Sequence, residues 1–254
     1  MISQMKSGKT NRSLERGIEI LRAFRPGSYL LGNSEIAERA GLAKSTVSRL
    51  TQTLVSTGIL EFDSEQRAYR LAPATLSFAH SMRTGSQVLQ LIAPKMRALA
   101  ESHGINVGLA AADRDEMVYL ESIRYKRRVA FRNVVSGQRV PMELTSLGRA
   151  YLSTLSLKER KPLYKIFRQR RTALWQISLL KDIEKCISDI QTKGYCAASW
   201  QPGVVAVAAP LYIHGTTYAL NTSLTTSENY CDVVKKLTLP LQELLREVSE
   251  LTEI

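Results

Sequence analysis

The chain has little of what marks a secreted, membrane-embedded or metal-dependent protein. It holds only 3 cysteines in 254 residues, Cys186, Cys196 and Cys231, with no CxxC spacing and no histidine nearby at metal-ligand spacing. Neither a disulfide framework nor a zinc site is expected, and the three read as small buried residues of a reducing cytoplasm. Histidine is just as scarce: His80, His103 and His214 are the 3 present, scattered over a linker, a helix end and a turn. No nucleophile, base and orienter can be grouped from them, and no phosphate-cradling glycine loop occurs. An enzyme is therefore not expected, and no cofactor or metal is called for. The longest apolar run, Val204 to Ile213, falls well short of the roughly 18 to 20 residues a membrane span requires. The stretch Met1 to Arg16 is polar. A soluble, cytoplasmic protein with no signal peptide is expected.

Acid is scarce too. Asp and Glu number 23 against 35 Lys and Arg, a formal charge of +12. Such a balance points to a polyanionic partner, although charge alone separates nucleic acid from a membrane surface poorly. Hydrophobic residues make up 44%, enough for real cores, and the length suits one large domain or two ordinary ones.

The chain divides by texture. Leu14, Ile18 and Leu21 recur at helical spacing before Pro26-Gly27 ends the pattern. A second helix opens near Gly32-Asn33-Ser34 with Glu35 in its first turn, directs Ile36, Ala37 and Ala40 inward, and stops at Gly41. A third runs from Lys44 to Ser56. Ile59 to Leu71 alternates as two short strands around Ser64-Glu65-Gln66-Arg67, a hairpin pattern. Pro73 opens a linker helix, Ala74 to Thr84, and Gly85-Ser86 separates it from another, Val88 to His103. Strands are then expected at Ile105 to Ala111, Met117 to Ile123 and Val129 to Val135. A helix follows near Thr145, then one from Ser156 with Pro162 expected to kink it. A helix from Leu179 to Lys193 should end in a left-handed cap at Gly194. Strands Val204 to Tyr212 and Thr217 to Leu224 flank His214-Gly215, and a helix from Val233 to Leu251 closes the chain. The expected domains are residues 1–72 with a basic arm, a linker over 73–86, and 87–254.

Two helices joined by Gly41-Leu42-Ala43 fit a helix-turn-helix, whose glycine permits the sharp reversal. On the second helix Val47, Leu50 and Leu54 form one apolar face. Ser45, Arg49 and Gln52 lie opposite, flanked by Thr46 and Ser48. That exposed face carries the chemistry a major groove requires: Arg can bridge guanine O6 and N7, Gln can bridge adenine N6 and N7, and Ser or Thr can reach phosphates or base edges. Lys44 adds a phosphate contact at the helix start. The hairpin would be a wing, with Arg67 and Gln66 either reaching DNA or remaining a solvated tip, and Tyr69 packing at its base. Lys6, Lys9, Arg12 and Arg16 form an arm able to lie along phosphates.

These residues resemble the IclR (isocitrate lyase regulator) family of bacterial transcription factors. Ser13 to Leu21 is similar to the family's first helix, and Gly41 to Leu50 to its recognition segment. Gly137 to Met142, Thr145 to Ala150, Gly194-Tyr195 and Val207 to Leu211 resemble signatures of its second domain, so the likeness spans nearly the whole chain. The resemblance implies an α+β protein: a winged helix-turn-helix joined by a linker helix to a GAF-like effector domain with an antiparallel sheet. It further implies a homodimer or dimer of dimers on double-stranded operator DNA, controlled by a small effector, without membrane attachment. Motif alignment puts the effector pocket on Val129, Arg132, Val140, Ser146 and Leu147. From the later strands it adds Val204, Ala206, Asn221 and Ser223.

One departure bears on the ligand. Family members often carry acids after the Gly-Tyr pair, whereas here Cys196-Ala197-Ala198-Ser199-Trp200-Gln201-Pro202 is shorter and has none. Fewer acids, with Arg132 and Trp200 added, favour a larger anion such as an aromatic carboxylate. Trp200 also reads as a core or rim aromatic, and Arg132 more simply as a solvated strand residue. The rival class is a basic nucleic-acid or protein binding module without an effector. Against RNA, the clusters Arg124 to Arg132 and Lys158 to Arg171 lack aromatic platforms beyond Tyr125 and Phe131.

Overall fold

The computed structural model describes residues 11–125, 135–170 and 173–252. It divides into two compact units, residues 1–86 and 87–254.

In the first unit, Asn11 starts α1 (Arg12–Arg22) by accepting from the backbone N–H groups of Ser13 and Leu14, both at 3.1 Å. That satisfies two donors the helix itself cannot. α2 (Asn33–Ala40) begins where Glu35 accepts from the Gly32 N–H at 3.0 Å, half of a capping box. It ends at Gly41, whose φ of 64° lies in the left-handed region that glycine enters without cost. α3 (Lys44–Ser56) follows at once. Ile20, Leu31, Ile36, Val47 and Leu60 form the centre of the core, each at most 1% exposed. At roughly 1.5 to 3 kcal/mol per buried aliphatic side chain, this cluster is what holds three short helices together. The stripe Leu14, Ile18 and Leu21 is not the buried face of α1. Ile20, Ala23 and Phe24 turn inward, leaving Leu14 and Ile18 exposed.

β1 (Leu60–Asp63) and β2 (Ala68–Leu71) pair antiparallel with Leu60 opposite Leu71 and Asp63 opposite Ala68. Asp63 Oδ1 accepts from the Glu65 and Gln66 N–H groups, so the carboxylate shapes the tip. Tyr69 is buried, 5.0 Å from the Phe62 ring between centroids, and its backbone bonds to Leu31. α4 (Ala74–Thr84) completes the unit and buries none of its residues.

The second unit opens with α5 (Gln87–His103) and builds one antiparallel sheet in the order β5-β4-β3-β8-β7-β6. The strands are β3 (Asn106–Asp113), β4 (Glu116–Ile123), β5 (Arg139–Pro141), β6 (Cys196–Ala198), β7 (Val204–Ile213) and β8 (Thr216–Thr225). Period-two alternation sends Val107, Leu109, Val205, Val207 and Leu220 to a core shared with α5 and α9 (Tyr230–Thr252). Ala110, Met117, Tyr119, Val140, Ala208 and Ala219 face the other way, toward α6 (Ser146–Ser153) and α8 (Ala173–Lys193). Gly194 ends α8 with φ 79°, the expected left-handed cap.

α7 (Leu157–Gln169) carries Pro162 inside it, as the sequence places it. The short strands β5 and β6 have no counterpart in the sequence pattern, because three residues are too few to establish a period. The strand expected over Val129 to Val135 lies, up to residue 134, outside the described residues. So do Lys6 and Lys9 of the arm.

Candidate nucleic-acid interface and effector site

On α3 the helical period sorts the side chains as the DNA-reading pattern requires. Val47 is sealed, with Leu50 and Leu54 packed against the same core. Lys44, Ser45, Arg49 and Gln52 are exposed, while Thr46 and Ser48 are half-buried at the flanks. Thr51, which the sequence reading passed over, is fully buried and donates its hydroxyl to the Val47 and Ser48 carbonyls at 2.9 and 3.1 Å. It is a packing residue, and its polar atom is satisfied within its own helix. Arg39 Nη1 donates to the Ala23 carbonyl at 3.1 Å, bracing α2 against the end of α1 beneath the reading helix.

At the wing tip, Gln66 and Arg67 are exposed, and Arg67 has φ 49°, a left-handed conformation unusual for a residue with a Cβ. Arg70 on β2 is instead engaged by Glu61, Nε to Oε2 at 2.8 Å. Of the two hairpin arginines, Arg67 is the one projecting from the tip.

In the second unit, register places two rows of small and polar residues across the α6 face of the sheet. One row runs Gly108, Asn221, Ala208, Cys196, and the next runs Asn106, Ser223, Ala206, Ala198. Val204 shares the parity of Ala206 and lies one row further along, opposite Thr225. Val140, Ser146 and Leu147 are buried over the same face, and Trp200 packs at its edge. These expected effector residues share one face of the sheet, although Val140, paired with Met117, lies several residues along the strands from Asn221 and Ser223, and Val129 and Arg132 lie outside the described residues.

Three residues that the sequence reading missed complete the arrangement. Tyr119 is buried, converges with Asn221 over the sheet, and has its phenol pushed above the ordinary value by burial, so it remains neutral. Gly108 lies beneath the pair: a Cβ there would sit 2.5 Å from Tyr119 Cε1 and 2.6 Å from Asn221 Oδ1. Arg124, at the end of β4, is partly buried, and burial pushes its guanidinium below the ordinary value, opposed by Tyr119. Its Nε is buried without a hydrogen-bond partner among the described residues. A desolvated cation with an open donor beside a neutral phenol and an amide is suited to an anionic ligand. Period-two alternation could have flagged Tyr119, since it shares a face with Met117. Nothing in sequence could have told Arg124 from the basic residues following it.

Among the described residues, no group of three or more His, Cys, Asp or Glu could hold a metal ion. No helix among them is long and apolar enough to cross a membrane.

A helix-turn-helix with a wing, followed by a unit whose sheet carries a sheltered polar floor, defines a DNA-binding transcriptional regulator. The comparisons narrow this. Residues 13–64 match the IclR helix-turn-helix domain and residues 80–250 the bacterial transcriptional regulator IclR C-terminal domain, so the chain belongs to the IclR family. It is 32% identical over 184 residues to the transcriptional regulator TsaQ1/TsaQ2 of Comamonas testosteroni, a match covering 72% of this chain and 66% of that protein, just under two thirds. With the regulator XynR of Escherichia coli it shares 25% identity, covering 87% of this chain and 88% of that one. An IclR family regulator from Brucella abortus superposes with a TM-score of 0.84 at 29% identity, covering 98% of both chains. A homolog from Microbacterium hydrocarbonoxydans solved with 4-hydroxybenzoate superposes at 0.66, with 21% identity over 92% of this chain and 99% of that one.

Proposed function

We propose that this regulator reads operator DNA through α3 and is controlled by an aromatic carboxylate held on the α6 face of its sheet. The observation that carries the ligand class is the open Arg124 Nε beside the Tyr119–Asn221 pair. A carboxylate would take the guanidinium donor and the Asn221 amide or Ser223 hydroxyl, with its ring beside the short side chains of Ala198 and Ala206 in the next row. Arg124 adds a cation to the one that the family resemblance puts at Arg132, which lies outside the described residues. That 4-hydroxybenzoate was found in the homolog from Microbacterium hydrocarbonoxydans supports the same class.

On the DNA side, Lys44, Ser45, Thr46, Ser48, Arg49 and Gln52 form the reading face, with Arg67 on the backbone or minor groove. The regulator acts as a homodimer, so that two copies of α3 meet a two-fold symmetric operator. An effector changes DNA affinity only by binding the competent and incompetent arrangements unequally, typically by about 1 to 3 kcal/mol.

Titration calorimetry with 4-hydroxybenzoate, 4-hydroxybenzamide and pyruvate tests the ligand class. Only the aromatic acid is expected to bind well, and Arg124→Gln is expected to weaken it roughly 10- to 100-fold, about 1.5 to 3 kcal/mol. Equal binding of acid and amide would remove the anion site.

A further inference from the structure

A second feature of the sensing unit lies at the β6 edge of the sheet, where α8 carries Cys186 beside Cys196 of β6. The two belong to a cleft of about 460 Å³ whose walls include Arg149, Lys185, Lys193 and Tyr230. Cys186 Sγ takes a 3.7 Å contact from Arg149 Nη1 and lies 3.7 Å from the Ala197 carbonyl. The Cys196 S–H donates to the Ser146 carbonyl at 3.6 Å. Asp182 and Asp189 also line the cleft, but Asp189 is tied to Lys193 at 2.7 Å and Asp182 stands 3.8 Å from Arg149. The balance of charge beside the sulfurs is therefore not acidic.

This arrangement divides the labour of the two thiols. The neighbouring Cys196 lowers the Cys186 thiol to about 7, against desolvation and helped by Arg149. Cys196 is pushed up by the neighbouring Cys186 and by burial, and holds its proton. A nucleophilic thiolate next to a protonated partner is how a peroxide-reactive cysteine and its resolving cysteine are arranged.

We propose that Cys186 and Cys196 form a redox-responsive dithiol that peroxides convert to a disulfide between α8 and β6. The Cys186 thiolate attacks one peroxide oxygen, breaking the O–O bond and giving a sulfenic acid. The leaving oxygen departs as an alcohol, or as water from hydrogen peroxide, after taking up a proton. The Cys196 sulfur, losing its proton, then attacks the sulfenic sulfur and displaces hydroxide, which leaves as water. Two thiols and one peroxide thus yield one disulfide, one alcohol or water, and one further water. Cys186 Sγ already reaches the carbonyl of Ala197, the residue after Cys196, so side-chain rotation is the movement that the roughly 2.05 Å of an S–S bond asks for. Cys196 ends the row Gly108, Asn221, Ala208, Cys196, so the crosslink would pin the edge of the floor described above. The thiol chemistry stands independently of which effector that floor accepts.

The chain carries its own control, since Cys231 is free and exposed whereas Cys186 and Cys196 are buried. On accessibility alone Cys231 should react first. Treating the full-length protein with hydrogen peroxide, alkylating the remaining thiols and mapping the peptides decides the matter. The expected result is paired loss of Cys186 and Cys196 as one intramolecular disulfide, at least about tenfold faster than modification of Cys231, and reversed by dithiothreitol. Cys196→Ser should stop at a sulfenic acid on Cys186 that dimedone traps. Oxidation of Cys231 ahead of the pair, or Cys186 and Cys196 still alkylated once Cys231 is consumed, would overturn the proposal. The wild-type readout needs no variant to fold.

Discussion

Tyr119 and Asn221 converge directly over Gly108, so close that a methyl group there would lie 2.5 Å from the ring and 2.6 Å from the amide oxygen. The sheet needs a glycine at this position so that the two side chains can meet, not because of its backbone angles. Gly108→Ala is therefore expected to destabilise the protein by about 1 to 3 kcal/mol, as overpacking does. Gly17, inside α1, has nothing within 4 Å of an added Cβ. Gly17→Ala should stabilise by about 0.5 to 1 kcal/mol. Urea unfolding of the two variants should give shifts of opposite sign.

The arginines of the first unit should separate by what they contact. Arg49→Ala is expected to cost roughly 1 to 3 kcal/mol on the cognate operator and much less on random DNA. Arg67→Ala should weaken both alike. Fluorescence anisotropy on the two duplexes measures this, and equal losses for Arg49 would demote it to a phosphate contact. A dimer neutralising roughly 6 to 10 phosphates should also lose about 10³ to 10⁵ in affinity between about 50 and 200 mM salt.

α4 exposes Leu76, Phe78 and Met82 at 72%, 65% and 51%, more apolar surface than an isolated helix would keep in water. Phe78 and Met82, four apart, share a face. If this face helps join protomers, Phe78→Glu with Met82→Glu should convert a dimer to monomer in sedimentation equilibrium without changing the unfolding midpoint of the second unit. An unaltered dimer would place the contact elsewhere.

Ser156 and Glu159 close a capping box at the start of α7: the Ser156 N–H donates to Glu159 Oε2 at 2.8 Å and its hydroxyl at 2.7 Å. These bonds hold the Glu159 carboxyl below its ordinary 4.5. Because the folded value is depressed, the stabilisation is fully present above the unfolded value and is lost as pH falls through the folded one. Amide exchange in the first turn of α7 should accelerate in that acid window. Ser156→Ala should cost about 0.5 to 2 kcal/mol near neutrality and flatten the pH dependence.

Much of this organisation was legible in the chain because it rests on local rules. Gly41 between two helical periods marks the turn, and Val47, Leu50 and Leu54 mark which side of α3 is sealed, since a helix's faces follow from spacing alone. The strands around His214-Gly215 are long enough for their alternation to place Asn221 and Ser223 on one face. On α1, by contrast, the stripe Leu14, Ile18, Leu21 was visible, yet Ile20 and Phe24 are what the core takes. Several apolar stripes compete on that helix, and only the positions of Ile36, Val47 and Leu60 decide between them.

The sequence by itself determined the element order, the family, the exposed face of α3 and the strand parity that sets Asn221 beside Ser223. Each depends on period, capping or composition within a few residues. Tertiary structure alone decided which groups meet across distance. It set Tyr119 against Asn221 over Gly108, left Arg124 without a partner among the described residues, and joined Cys186 to Cys196 across α8 and β6. Those meetings are fixed by sheet register and helix docking, which bring together residues up to 113 positions apart, from 108 to 221. No local pattern encodes them, because the free energy that selects them comes from burying both partners at once.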